Sequence, residues 1–134
     1  MPKLDPAQAA REVAERINKA RAERDQPPLE VAPRLADAAL AEARDLARRD
    51  TLRRPDGGSV AFDRLRRDGH PFREVQQHTA AGYPTAEKFV ASLLDSPEDA
   101  DALLGDHRLL GVGYATAEDG TPYWVLLIAK PREG

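Results

Sequence analysis

Apolar residues recur every three or four positions over the first fifty residues, which is the period of a helix that buries one face. One stripe consists of Ala9, Val13, Ile17 and Ala20, and a second of Leu35, Ala39, Ala43 and Leu46. They predict helices from Pro6 to about Glu23 and from Pro33 to about Asp50, because a helix tolerates proline in its first turn. Leu29 and Val31 predict a short extended link between them.

Shorter apolar patterns follow. Val60–Arg67 predicts a short helix, and Ala86–Leu94 predicts another, for which Thr85 supplies a cap. A further helix is expected at Pro97–Leu104, directly after the break at the preceding serine. The intervening segment His70–Thr79 fits either an irregular stretch or a strand, and its pattern does not decide between them.

The last third of the chain has the composition of two strands. Runs rich in β-branched and aromatic residues occupy His107–Ala115 and Pro122–Lys130, and Glu118–Gly120 between them has turn chemistry. This combination predicts a β-hairpin. Another turn signal, Pro-Asp-Gly, lies within Arg53–Ser59 and predicts a loop there.

Composition restricts the possible partners and compartments. The 134 residues fit one domain, with expected bounds 1–134, and a formal net charge of -3 gives no overall positive field to attract nucleic acid. There is no cysteine, so disulfides and thiolate chemistry are excluded. No apolar run approaches the roughly 18 residues that span a membrane. The first residues lack the apolar stretch of a secretion signal, so the protein is expected to be cytoplasmic unless a leader has been removed.

Several motifs occur in a telling order: Ile17–Glu23, Pro55–Gly57, Phe62–Leu65, Ser96–Pro97, Leu110–Gly113 and Tyr123–Val125. In this order and spacing the chain resembles the CAP superfamily of cysteine-rich secretory, venom allergen and pathogenesis-related proteins, over about residues 9–131. The resemblance implies an α+β fold, a three-layer α-β-α sandwich around a small, mainly antiparallel sheet. It also implies a groove in which two histidines and two acidic residues hold a divalent metal, the ligands that zinc accepts where cysteine is absent.

The positions to which the resemblance assigns these ligands hold other residues in this chain. They are Leu52, Gln77, Asp99 and Leu109. Leucine cannot bind a metal, and a neutral glutamine is a poor ligand. We therefore predict no bound metal and no cofactor. In its place we expect a groove lined by these residues and His78, which binds a partly apolar ligand.

Three functions remain open. The favoured one is a non-catalytic binding or interaction module, extracellular or in the cell envelope if a leader has been removed, with a small apolar ligand, a peptide or an envelope component as partner. The second is a metal-dependent or acid/base hydrolase that uses His78 and Asp99. The pattern favours a plainer interpretation of these two residues, a surface histidine beside a helix-start carboxylate. The third is a structural spacer of the cell envelope. His70 and His107 lie beside turns and are expected to be exposed.

Overall fold

A computed structural model describes residues 5–52, 58–69 and 72–131. Within these ranges the helices are α1 (Pro6–Glu23), α2 (Pro33–Arg49), α3 (Val60–Arg67), α4 (Ala86–Asp95) and α5 (Pro97–Leu103). The strands are β1 (Glu30–Val31), β2 (Phe72–Ala81), β3 (Leu109–Thr116) and β4 (Pro122–Pro131). The predicted helices are confirmed to within one or two residues at their ends. Most of the predicted loop Arg53–Ser59, and His70, lie outside the described residues.

The strands form one mixed sheet in the order β1-β3-β4-β2. The predicted hairpin is confirmed, since β3 and β4 pair antiparallel from Leu109 opposite Ala129 to Thr116 opposite Pro122. The segment that the sequence left undecided is an edge strand, β2, antiparallel to β4. Its polar residues explain the ambiguous pattern, because an edge strand need not be apolar along its length.

Helices cover both faces of this sheet, because successive strand residues point to opposite sides. Leu110, Trp124, Leu126 and Ile128 pack with residues of α1, α4 and α5. Val125, Leu127 and Ala129 pack with residues of α2 and α3 on the other face. The result is the three-layer α-β-α sandwich that the resemblance implied. In the part of the chain described, no helix has the length and apolar character needed to cross a bilayer.

Two glycines of β3 allow α2 to lie directly on the sheet. A Cβ atom added to Gly111 would lie 2.2 Å from the carbonyl carbon of Leu35, and one added to Gly113 would lie 2.1 Å from the carbonyl oxygen of Ala39. No side chain fits in that space. The close approach fixes the distance between β3 and α2.

A buried arginine fastens the end of α1 to the connection between α5 and β3. The side chain of Arg21 donates hydrogen bonds to the carbonyl oxygens of Pro27 at 2.8 Å, Leu103 at 2.7 Å, Gly105 at 2.9 Å and His107 at 3.2 Å. Burial, and then the charge of Arg108, lower the pKa of this guanidinium. These partners are neutral carbonyl groups, and within the described residues no carboxylate joins them in solvating the buried charge.

Candidate functional site

The structure brings together His78 of β2 and Asp99 of α5. Nδ1 of the imidazole lies 3.1 Å from Oδ1 of the carboxylate, and the two side chains are 12% and 34% exposed. Asp99 stands in the first turn of α5, where the helix dipole favours negative charge. The pair therefore joins the edge of the sheet to the helix above it.

The other ring nitrogen of His78 is enclosed. Nε2 is buried and has no hydrogen-bond partner in the described part of the chain. Because Nδ1 faces an acceptor, the neutral imidazole carries its proton on Nδ1 and leaves Nε2 as an acceptor. A base needs to be within hydrogen-bond reach of the proton it removes. Because Nε2 of His78 is buried in this structure, a substrate in solution cannot come within hydrogen-bond distance of it.

Gln77, the neighbour of His78, points to the opposite face of the sheet. Its Oε1 lies 2.7 Å from Oγ of Ser59, which lies 2.9 Å from Oε1 of Glu42. The buried Glu42 carboxylate also accepts a hydrogen bond of 3.0 Å from the backbone N–H of Ala61. The Ser59 hydroxyl has one proton, so it can donate only one hydrogen bond. When the NH₂ group of the Gln77 amide faces Ser59 and donates to Oγ, the hydroxyl proton is free to be donated to Glu42. Gln77 thus belongs to a network that holds the start of α3 against α2.

The two leucines do not join His78 and Asp99 either. Leu109 packs beside the cluster between the sheet and α2, on the face to which Gln77 points. Leu52 lies just beyond α2 and is 44% exposed. The expectation of one groove lined by Leu52, Gln77, His78, Asp99 and Leu109 is corrected by this placement. Adjacent residues of a strand cannot share a face, so the set is divided between the two sides of the sheet.

This donor set does not fit a zinc site. Over the described ranges, no three His, Asp or Glu side chains are placed where they could hold a metal ion. His78 and Asp99 supply one nitrogen and one carboxylate, whereas zinc sites take three or four protein ligands. The carboxamide of Gln77, on the other face, is held by Ser59. No mechanistic step through a metal follows from these residues.

A second polar cluster closes the far end of the sheet. Nζ of Lys130 lies 3.2 Å from Oε2 of Glu74 and 3.0 Å from Oδ1 of Asp106. His107 beside them is 5% exposed, and both of its ring nitrogens are buried. Burial lowers the pKa of this imidazole. The expectation that His107 is an exposed turn residue is wrong, because its side chain is buried; its backbone carbonyl also accepts a hydrogen bond from Arg21.

Comparison with known proteins identifies the fold. The model of the cysteine-rich secretory protein family, CAP, matches residues 14–128. The chain belongs to the CAP family. No curated protein sequence matches the chain at a significant level.

Solved structures of other CAP proteins have the same fold. An outer surface protein of Borrelia burgdorferi superposes with a TM-score of 0.84 at 21% identity, over 98% of each chain. An extracellular protein of Bacillus anthracis that contains an SCP domain gives 0.78 at 20% identity, and a cysteine-rich secretory protein of Staphylococcus aureus gives 0.77 at 15% identity. They match 93% and 96% of this chain, which spans 41% of each of those two proteins.

Proposed function

We propose that this CAP protein is a non-catalytic binding or interaction module without a metal site, which acts outside the cell or in its envelope. The observation that carries the proposal is the pairing of His78 with Asp99. Asp99 stands at a position that the resemblance assigns to a metal ligand, and His78 is the neighbour of another, Gln77. The two side chains lie within hydrogen-bond distance of each other at 3.1 Å, and Nε2 of His78 is enclosed without a partner among the described residues. Such an arrangement stabilises a fold rather than presents a reactive group.

The proposed location, outside the cell or in its envelope, is supported by the descriptions of similar proteins. The Borrelia relative is an outer surface protein, and the Bacillus relative is an extracellular protein. The proposal gives this chain the same location, with a peptide, an apolar ligand or an envelope component as its partner. Because these proteins have low sequence identity to this chain, the comparison shows a shared fold. The shared compartment is part of the proposal.

A hydrolase that uses His78 and Asp99 is the competing function. Its supporting observation is the same hydrogen bond, because a carboxylate on Nδ1 orients an imidazole and fixes the tautomer that a general base needs. Such a site would require Nε2 to become accessible. It would also require a nucleophile or a metal-bound water beside it.

Calorimetric titration of the purified protein with zinc chloride separates the two. We expect no saturable heat with a stoichiometry of one, since two ligands on one face of the sheet hold zinc poorly. The matched control is Asp99→Asn, which removes the carboxylate charge but keeps the side-chain size. A one-to-one binding isotherm that Asp99→Asn abolishes would refute the metal-free module and favour the hydrolase.

A further inference from the structure

β3 is the free edge of the sheet for most of its length. The strand β1 pairs with Leu109 and Leu110 only. The carbonyl oxygens of Arg108 and Leu110 accept hydrogen bonds of 2.9 Å from the backbone N–H groups of Glu30 and Ala32. Backbone direction alternates along a strand, so the N–H and C=O groups of Val112 and Tyr114 point the same way. No strand of the described chain pairs with that side of them, and the two residues are 7% and 5% exposed, so these backbone groups lie in a narrow cleft rather than on an open surface.

A small apolar crevice opens beside this edge. It has a volume of about 100 Å³ and lies between α1, which supplies Ala10 and Ala14, and β3, which supplies Leu110 and Val112. Val31 at the end of β1 forms part of its wall and is 61% exposed. The crevice therefore begins where β1 stops and follows the same line.

We propose that an extended peptide segment of a partner protein pairs with β3 along this edge, in line with β1, and places one aliphatic side chain in the crevice. This inference rests on the proposed binding function and gives its partner a chemical class. Backbone hydrogen bonds from Val112 and Tyr114 supply affinity, and the crevice selects the side chain. Arg11 also lines the crevice, and its charge favours an acidic residue two positions from the aliphatic one, on the same side of the extended peptide.

The size of the crevice and the chemistry of the edge decide among possible occupants. A pocket for a drug-sized or lipid-like ligand measures roughly 300–1,000 Å³, whereas about 100 Å³ suits a single aliphatic side chain. An apolar small molecule would also leave the backbone groups of the edge without partners. An extended peptide can fill the crevice with one side chain and pair with the backbone groups of the edge at the same time.

The test uses the whole protein, labelled with ¹⁵N, and a synthetic capped peptide of sequence ETITITE. Hydrogen exchange of the Val112 and Tyr114 amides should slow at least tenfold when the peptide saturates the protein. The control peptide carries the same side chains with N-methyl groups on alternate amides, which blocks strand pairing. Equal affinity for both peptides, or no slowing at the two amides, would overturn the inference.

Variants locate the site. Ala14→Leu fills the crevice and should raise the peptide Kd at least tenfold, while Ala22→Leu on the exposed side of the same helix should leave it unchanged. Val31→Lys alters an exposed position, so it should weaken binding with the melting temperature intact. Unchanged affinity in both Ala14→Leu and Val31→Lys would refute the site.

Two other outcomes are informative. Amide protection that rises with protein concentration and needs no peptide would mean that a second copy occupies the edge, which contradicts a peptide partner. Zinc binding in the calorimetric test would overturn the proposed metal-free function without affecting amide protection by the peptide. The two failures are therefore distinguishable.

Discussion

Single residues fix the spacing of the layers in this protein. Gly111 is the sharpest case, since an added Cβ would lie 2.2 Å from the backbone of Leu35 in α2. Gly120 is a contrasting glycine, in the turn between β3 and β4, with φ of +92° and open space around it. The first glycine is required by packing and the second by backbone conformation.

Replacing Gly111 with Val should therefore cost about 3 kcal/mol or more of unfolding free energy, because the helix backbone cannot move aside cheaply. Replacing Gly120 with Asn should cost about 1 kcal/mol, since asparagine adopts positive φ more readily than other residues. Urea unfolding of both variants measures the difference. Equal midpoints would show that α2 does not press on β3 as described.

His107 is a residue whose burial makes stability depend on pH. Burial lowers the pKa of its imidazole; the charges of Glu74 and Asp106 raise it, and that of Lys130 lowers it. The folded protein thus binds the proton less tightly than the unfolded chain, where the pKa is about 6.5. The stability is fully present above about pH 6.5 and declines as the pH falls from there through the lower, folded pKa.

The variant His107→Gln removes this titration and should flatten the loss of unfolding free energy between pH 7 and pH 5. Urea unfolding at several pH values compares this variant with the parent protein. Parallel pH profiles for the two proteins would mean that His107 is not buried in its neutral form.

At the scale of elements, the helices were readable from sequence and β2 was not. The apolar stripes of α1 and α2 recur every three or four residues. This is the period of a helix with one buried face, whereas a half-buried strand alternates every two residues. The strand β2 carries Gln76, Gln77 and His78 in succession, so neither period dominates. Only pairing with β4 along Val75–Ala81 makes it a strand.

The candidate site depended on information that a sequence does not contain. Whether His78 or Gln77 faces α5 is set by the register of β2, which shifts between Phe72 and Glu74. The Arg21 contacts with Leu103, Gly105 and His107 join residues 82 to 86 positions apart. The nearness of His78 to Asp99 could be anticipated, because the resemblance assigns ligand positions to Asp99 and to Gln77, the neighbour of His78.

At the scale of the whole molecule, this chain keeps the CAP framework over residues 14–128 while the assigned ligand positions hold two leucines, a glutamine and an aspartate. The stability of the fold comes from the two apolar clusters on either side of the sheet. A fold of this kind supports more than one function. The central claim is that its function here needs no metal.

Thermal unfolding of the purified protein with and without EDTA tests that claim most directly. A metal that binds the folded state raises its midpoint by mass action, and chelation lowers it again. We predict coincident melting curves, with no stoichiometric metal by elemental analysis of the same sample. A midpoint that falls by several degrees in EDTA, together with one metal ion per chain, would contradict the account.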